Sequence, residues 1–248
     1  FSAPLRTPRN IPESCEMNEL FTGPLAVRLV IIDLDGTLID TAPDLATSAN
    51  AMLEELGMDV YDHETVATWI GNGISRFVKR ALTGELDGEP DQALYDRAYP
   101  ILLRHYAERV SRESRPYPGV TEGLAELRTG GFELACITNK AEAFTRPLLK
   151  DLGLADYFKL VLSGDSLPRR KPDPLPLLHA CEVFDIAPAQ GVLVGDSAND
   201  TEAAQAAGMP VICVTYGYNR GLDVRTLGPV AVIDSLTELP RHIRPLES

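Results

Sequence analysis

The feature that most limits how this chain can fold is a series of short apolar runs, each followed by a helical pattern. The runs show little polar alternation, which is typical of parallel strands that are buried on both faces of a sheet. Strands that alternate with helices predict an α/β domain with a doubly wound parallel sheet. The runs are residues 27–34, 132–138, 160–163, 192–195 and 211–215, with a weaker one at 230–233.

One connection in this pattern is too long to be a simple crossover. About ninety residues separate the first two runs, whereas a crossover between parallel strands needs a dozen or somewhat more. The stretch is largely helical in pattern, so we predict an inserted helical cap at 41–115 on an α/β core of residues 27–40 and 116–248. Pro100 is expected to kink or split the last helix of the cap. The predicted cap helices are 43–56, 63–69, 74–82 and 91–112.

The first 26 residues lie outside this alternation of strands and helices. They contain four prolines and no apolar central stretch, so they do not match the pattern of a signal peptide. We expect this segment to be disordered or of artificial origin.

The net charge limits the classes of partner that the protein can bind, and the cysteines indicate its compartment. The chain has 23 Lys and Arg against 36 Asp and Glu, a net charge of −13, and such a surface repels nucleic acid and anionic membranes. An anionic substrate must then be attracted by a few placed cations or by a metal. The four cysteines are scattered, and no apolar run is long enough to span a bilayer. We therefore expect a reduced, cytoplasmic protein, with monomer and homodimer both open.

A dense group of polar residues follows the first predicted strand, which runs directly into Asp33, Asp35, Gly36 and Thr37. Two carboxylates two residues apart project to the same side of a strand and resist double ionisation unless a cation neutralises them. Oxygen ligands of this kind favour Mg²⁺. Gly36 permits a tight turn, and Thr37 offers a hydroxyl and an amide to a phosphate. Taken alone, the motif is equally compatible with a simple turn.

Other predicted strands end in polar residues as well. Thr138 and Asn139 follow the second strand, and Asp196 and Asp200 follow the strand at 192–195. Lys171 lies in a proline-rich loop that limits its freedom. Each residue has a simple explanation as a helix cap or a solvated charge. Because ligands bind at the carboxyl ends of parallel strands, their joint placement predicts one shared site.

These segments resemble, in the same order, the four signature motifs of the haloacid dehalogenase-like hydrolase superfamily. The resemblance runs from residue 28 to the C-terminus, and it implies a Rossmann-like core with a C1-type cap. The stretch 69–73, Trp-Ile-Gly-Asn-Gly, resembles the cap of phosphoglycolate phosphatases. The expected partner is a small phosphorylated substrate.

The resemblance implies a catalytic role for each motif residue. Asp33 would attack phosphorus and carry the phosphoryl group, while Asp35 would protonate the leaving group and then deprotonate water. Mg²⁺ would be bound by the Asp33 carboxylate, the Asp35 backbone carbonyl and Asp196. Asp200 would orient Lys171 or a metal-bound water.

Residues for the phosphate and for substrate choice follow from the same resemblance. In the cap, Asn72 and Arg76 are candidates for specificity, and Arg76 could pair with a carboxylate such as that of 2-phosphoglycolate. A surface arginine on an acidic protein is the simpler explanation of Arg76. The candidates for binding phosphate are Gly36, Thr37, Thr138, the amide of Asn139, and Lys171.

Related chemistries can be weighed against these residues. Haloacid dehalogenases need neither Asp35 nor Asp196, and Ile74 stands where a phosphonatase would have its cap lysine. Phosphatases of other small esters, such as sugar phosphates, have the same motifs, and so do sugar-phosphate mutases. Both alternatives therefore stay open. A catalytically silent regulatory or binding protein has no need of both Asp33 and Asp35. We therefore predict a Mg²⁺-dependent phosphatase, with 2-phosphoglycolate as the first candidate substrate.

Overall fold

The computed structural model describes residues 23–246, so the predicted extension at residues 1–26 lies mostly outside the described part of the chain. Six strands form a parallel sheet in the order β6-β5-β2-β7-β8-β9, which confirms the predicted sheet. β1 pairs with β10 and β3 pairs with β4 in two small ladders. The strands are β1 (Leu25–Val27), β2 (Leu29–Ile32), β3 (Ile39–Asp40), β4 (Arg115–Pro116), β5 (Glu133–Ile137), β6 (Leu160–Leu162), β7 (Gly191–Gly195), β8 (Val211–Val214), β9 (Ala231–Ile233) and β10 (Ile243–Pro245).

Helices cover both faces of the sheet because every central strand is apolar on both sides. Val30 and Ile32 belong to one buried cluster, whereas Leu29 and Ile31 belong to another, as the alternation of side chains along a strand requires. The first cluster includes residues of α5 and α6, and the second includes residues of α7 and α8. The helices are α1 (Ala42–Glu55), α2 (His63–Ala67), α3 (Ile74–Thr83), α4 (Gln92–Ala107), α5 (Val120–Thr129), α6 (Glu142–Asp151), α7 (Leu175–Phe184) and α8 (Ala198–Ala207).

The long connection contains α1 to α4, which we call the helical insert (residues 41–115). α1 packs against α2 and α4, and α3 packs against α4. The antiparallel pair of β3 and β4 stands where the chain enters and leaves the insert. Trp69, Phe77 and Tyr106 of the insert belong to the same buried cluster as Val30 and Ile32 of the sheet. The insert is thus packed onto the sheet domain, and its independence as a cap domain stays a prediction.

The last helix of the insert differs from its prediction. α4 runs without a break from Gln92 to Ala107, so Pro100 does not split it, and the alternative expectation of a kink stays a prediction. Pro100 is exposed, while Ala98, Leu102 and Tyr106 bury the opposite stripe of the helix. Packing at four-residue intervals on both sides of the proline offsets the loss of one backbone hydrogen bond. Among the helices of residues 23–246, none is long and apolar enough to cross a membrane.

Candidate active site

The carboxyl ends of three adjacent strands bring the predicted site residues together. β2 lies between β5 and β7 in the sheet. Asp33 follows β2, Thr138 follows β5 and Asp196 follows β7. Because the strands are parallel and in register, these three residues emerge at one edge of the sheet.

Three carboxylates form a buried acidic cluster at this edge. Oxygen atoms of Asp33, Asp196 and Asp200 lie within 4.8 Å of one another, and the exposed fractions of the three residues are 8%, 2% and 0%. Burial raises the pKa of Asp33 to about 7, and the carboxylates of Asp200 and Asp35 add to this rise while Lys171 opposes it. Burial, followed by the charges of Asp200 and Asp33, also raises the pKa of Asp196 well above its usual value.

The donor set of this cluster fits a hard divalent cation. Buried carboxylates at such distances repel one another unless positive charge lies between them. Their oxygen atoms are the ligands that Mg²⁺ prefers, and the cluster includes no sulfur or imidazole ligand. Asp33 Oδ1 is buried without an aligned hydrogen-bond donor among the described residues. The ammonium group of Lys171 lies 2.8 Å from that oxygen, so the oxygen already has a positive charge beside it.

Lys171 supplies one positive charge to the cluster. Its Nζ lies 2.8 Å from Asp33 Oδ1 and 2.7 Å from Asp200 Oδ1, although only the contact with Asp200 has hydrogen-bond alignment. Burial lowers the pKa of Lys171, but the carboxylates of Asp200 and Asp33 outweigh it and the net shift is upward. The other oxygen of Asp200 accepts hydrogen bonds from the amide and hydroxyl of Ser197. Asp200 thus orients Lys171 towards Asp33.

Gly36 and Thr37 position the carboxylate of Asp196. Thr37 is fully buried, and its hydroxyl donates to Asp196 Oδ1 over 3.0 Å. Gly36 has a φ of +88°, and a Cβ at this position would overlap the Asp196 carboxylate. The Gly36 and Thr37 amides donate to Ile39 and Leu34 within the turn. These donors are used inside the protein, and the binding of phosphate by Gly36 and Thr37 stays a prediction.

Thr138 and Asn139 lie beside Asp33 on the other side. The hydroxyl of Thr138 accepts a hydrogen bond from the Lys140 amide over 3.1 Å. Asn139 Nδ2 donates to the carbonyls of Gly71 and Lys171, so this side chain joins the insert to the loop that carries Lys171. Both residues line the cavity described below.

Lys140 is a buried cation that the sequence analysis left without a role. Its Nζ lies 2.9 Å from Asp35 Oδ1, and only 5% of its side chain is exposed. Burial lowers the pKa of Lys140, but Asp35 and then Tyr106 raise it, and the net shift is upward. Thr41 donates to the same Asp35 oxygen over 2.7 Å. The sequence feature that could have identified Lys140 is its position as the third consecutive polar residue after β5.

A cavity lies between this edge of the sheet and the helical insert. It offers about 40 Å³ to the centres of water molecules, which is room for only a few waters. Its walls differ in polarity. The sheet side includes Asp33, Asp35, Thr138, Asn139, Lys140 and Lys171, and the insert side includes Leu45, Ile70, Ile74, Phe77 and Tyr106.

The structure does not place the two predicted specificity residues of the cap in this cavity. Arg76 is not among the residues that line it, and it pairs with Asp87 and Glu89 at 3.0 and 2.6 Å. Two acidic groups already bind its guanidinium, and a contact between Arg76 and a substrate carboxylate stays a prediction.

Asn72 instead joins the insert to the sheet domain. Its Oδ1 accepts hydrogen bonds from Arg80 and Arg220 over 3.0 and 2.7 Å, and its Nδ2 donates to Asn199 over 3.2 Å. Asn199 also donates to the carbonyl of Gly71. Asn72 therefore holds the loop of residues 71–73 against the sheet edge, and it does not line the cavity.

Comparisons with known proteins agree with this geometry. Residues 30–214 match the family model described as haloacid dehalogenase-like hydrolase. A protein of Thiobacillus denitrificans named phosphoglycolate phosphatase is 61% identical over 87% of this chain and 95% of its own length. A protein of the same name from Nitrosospira multiformis is 58% identical over 89% of this chain and 97% of its own length.

A solved structure shares the fold as well. The crystal structure of a "predicted phosphoglycolate phosphatase" from Haemophilus somnus superimposes with a TM-score of 0.80. It is 34% identical, and the match covers 86% of this chain and 96% of that one. The agreement therefore includes the helical insert as well as the sheet.

Proposed function

Because the chain belongs to the haloacid dehalogenase-like hydrolase family and is a phosphatase within it, we propose that it hydrolyses 2-phosphoglycolate in a Mg²⁺-dependent reaction. The nucleophile in this proposal is Asp33, which forms an aspartyl phosphate. The main support for this assignment is that Asp33 belongs to two features of the site at once. Asp33 belongs to the acidic cluster and also lines the cavity, whereas Asp196 and Asp200 lie behind it.

The metal site in this proposal consists of the Asp33 carboxylate, the backbone carbonyl of Asp35 and Asp196. Mg²⁺ held there neutralises negative charge on the phosphoryl oxygens when it is bound. Asp200 is left out of this site because its Oδ1 accepts a hydrogen bond from Lys171 over 2.7 Å. It orients Lys171 instead.

The proposed reaction consists of two displacements at phosphorus. An Asp33 oxygen bonds to phosphorus while the bond from phosphorus to the glycolate oxygen breaks, and Asp35 gives that oxygen its proton. Water then attacks phosphorus, Asp35 takes the proton of the water, and the bond to Asp33 breaks to release inorganic phosphate. Thr138, the amide of Asn139 and Lys171 stabilise the phosphoryl oxygens during both steps.

The substrate assignment has two supports. Relatives at 61% and 58% identity carry the name phosphoglycolate phosphatase. The insert wall of the cavity is apolar, which favours a short leaving group over a sugar with many hydroxyls.

Buried free thiols support the proposed cytoplasmic location. Within residues 23–246, Cys136, Cys181 and Cys213 are free and buried. Such thiols persist in the reducing cytoplasm.

Phosphate release from a panel of esters tests this function. We expect 2-phosphoglycolate to have a higher kcat/KM than ethyl phosphate, glycerol phosphate and glucose 6-phosphate, and EDTA to abolish release from all of them. Preference for a sugar phosphate would contradict the substrate but keep the mechanism. An isomerised sugar phosphate without free phosphate would contradict hydrolysis and identify a mutase.

A further inference from the structure

We propose that Lys140 and Tyr106 form a subsite for a carboxylate on the leaving group, and that this subsite selects the substrate. The inference rests on the proposed function and names the side chains that recognise the glycolate part of the ester. Lys140 belongs to the loop after β5, and Tyr106 belongs to α4 of the insert. The subsite therefore spans both walls of the cavity.

Positive charge in the cavity is limited to two side chains. Among the described residues, Lys140 and Lys171 are the cations that line it. Lys171 lies between two carboxylates, those of Asp33 and Asp200, at 2.8 and 2.7 Å. Lys140 has a single carboxylate neighbour, Asp35, at 2.9 Å. A second anionic group of a substrate cannot be buried without a cation. Lys140 is the better candidate for that cation, because it has one carboxylate neighbour whereas Lys171 has two.

The hydroxyl of Tyr106 is a second indication of a missing polar group. Tyr106 is fully buried and lines the cavity, yet its hydroxyl has no hydrogen-bond partner within residues 23–246. Buried hydroxyls are normally satisfied. The ring lies next to Lys140, whose Nζ is 4.9 Å from the ring centroid. One carboxylate in this corner would accept from the Tyr106 hydroxyl and from Lys140 together.

The start of α3 adds favourable electrostatics to the same cavity. Gly73 precedes the helix, and no side chain caps its first amides. Gly73 and Ile74 both line the cavity. The positive end of the helix dipole thus faces the space that a carboxylate would enter. The remaining insert wall is apolar and offers no competing donor side chain.

The position of Lys140 also suits the geometry of the reaction. Lys140 contacts Asp35, the residue that protonates the leaving oxygen in the proposed function. In 2-phosphoglycolate a single methylene separates the ester oxygen from the carboxylate carbon. A carboxylate held by Lys140 therefore keeps the ester oxygen close to Asp35, and a longer spacer would not.

Two esters that differ at one group test the subsite. 2-Hydroxyethyl phosphate replaces the carboxylate of 2-phosphoglycolate by a neutral hydroxymethyl group of similar size. We expect Lys140→Met to lower kcat/KM for 2-phosphoglycolate by on the order of 100-fold, since a charge-assisted contact is lost. For 2-hydroxyethyl phosphate we expect a smaller loss, of about tenfold, because Asp35 loses its ion-pair partner in the reaction of either ester. Tyr106→Phe should lower kcat/KM for 2-phosphoglycolate alone, by about tenfold.

A second lysine–tyrosine pair on the insert provides matched controls. Lys79 Nζ lies 5.8 Å from the ring centroid of Tyr95, and neither residue lines the cavity. Lys79→Met and Tyr95→Phe should leave kcat/KM for both esters unchanged. Thermal denaturation of each variant checks that it is folded. If Lys140→Met does not fold, Tyr106→Phe tests the subsite on its own.

Different outcomes separate failure of the subsite from failure of the proposed function. Equal losses on both esters in Lys140→Met and Tyr106→Phe would overturn the subsite and show that these residues act only through Asp35 or through packing. Wild-type protein that hydrolyses both esters equally well would overturn it too. Mg²⁺-dependent hydrolysis of other esters, but of neither of these two, would refute the proposed substrate together with the subsite.

Discussion

The two walls of the cavity differ in polarity. The sheet wall carries buried charges that are paired with one another, such as Lys171 with Asp33 and Lys140 with Asp35. The insert wall is mostly apolar, with Ile70, Ile74 and Phe77 facing the same space. A charged wall can stabilise the transfer of a phosphoryl group from any ester, whereas an apolar wall discriminates by size and shape. Changes in the residues around Asp33 should therefore affect the reaction of every ester. Changes in the insert wall, and in Lys140 where the two walls meet, should affect which ester reacts.

The largest effect is expected from Asp33→Asn. The substitution preserves shape but removes the nucleophilic charge, so kcat should fall by on the order of 10⁴ or more for every ester. Steady-state phosphate release measures it, and an unchanged circular dichroism spectrum shows that the fold is intact. Wild-type-like turnover in this variant would remove Asp33 as the nucleophile.

Removing Lys171 should be the next most severe change. Lys171→Met leaves the carboxylates of Asp33 and Asp200 buried without their lysine, and breaking such a pair costs about 3–5 kcal/mol. We expect a lower free energy of unfolding in urea without metal, partly restored by Mg²⁺. Arg76→Ala is the control, because its exposed ion pairs contribute about 1 kcal/mol or less. Equal stabilities for the two variants would contradict a charge-paired sheet wall.

Metal binding should depend on pH in a defined direction. The pKa of Asp33 is raised to about 7 and that of Asp196 is also raised, both chiefly by burial. In metal-free protein, the protonated carboxyl groups stabilise the fold, and this contribution is lost as pH rises from about 4 through 7. Mg²⁺ must displace those protons, so its affinity should rise by up to about tenfold per pH unit and per proton below pH 7.

Thermal denaturation with Mg²⁺ and with EDTA checks this linkage. The increase in Tm caused by Mg²⁺ should be larger at pH 8 than at pH 5. A shift of the same size at both values would show that the acidic cluster does not bind the metal.

The insert wall should give the smallest and most selective effect. Ile74→Ala enlarges the cavity on the side of α3, and the ratio of kcat/KM for phenyl phosphate over 2-phosphoglycolate should rise by about tenfold. Arg76→Ala, on the outer face of the same helix, should not change this ratio. A uniform loss on both esters in Ile74→Ala would mean that the insert wall supports catalysis rather than choice of substrate.

The positions at the strand ends were largely predictable from the sequence. Apolar runs specify where the strands lie, and a parallel sheet brings their carboxyl ends together, so Asp33, Thr138 and Asp196 could be assigned to one edge. The contacts of Gly36 and Thr37 could not be predicted, because segments that form turns and segments that bind phosphate have the same composition. Only the structure shows that Thr37 donates to Asp196.

The insert was less predictable because one helix presents different residues to different surroundings. On α3, Phe77 lines the cavity, whereas the preceding residue, Arg76, pairs with acidic groups outside it. Adjacent residues on a helix point about 100° apart, so the apolar stripe that includes Ile74 and Phe77 could have placed Arg76 outside. The role of Lys140 could not be predicted, because its contacts with Asp35 and Tyr106 join segments that are distant in sequence.

The central claim is that the phosphoryl group passes through Asp33. The most direct measurement mixes the protein with Mg²⁺ and ³²P-labelled 2-phosphoglycolate, quenches in acid within milliseconds, and locates the label by peptide mapping. The account predicts hydroxylamine-labile label on the peptide that contains Asp33, and none in Asp33→Asn. Rapid phosphate release with no labelled protein, or label that persists in Asp33→Asn, would contradict it.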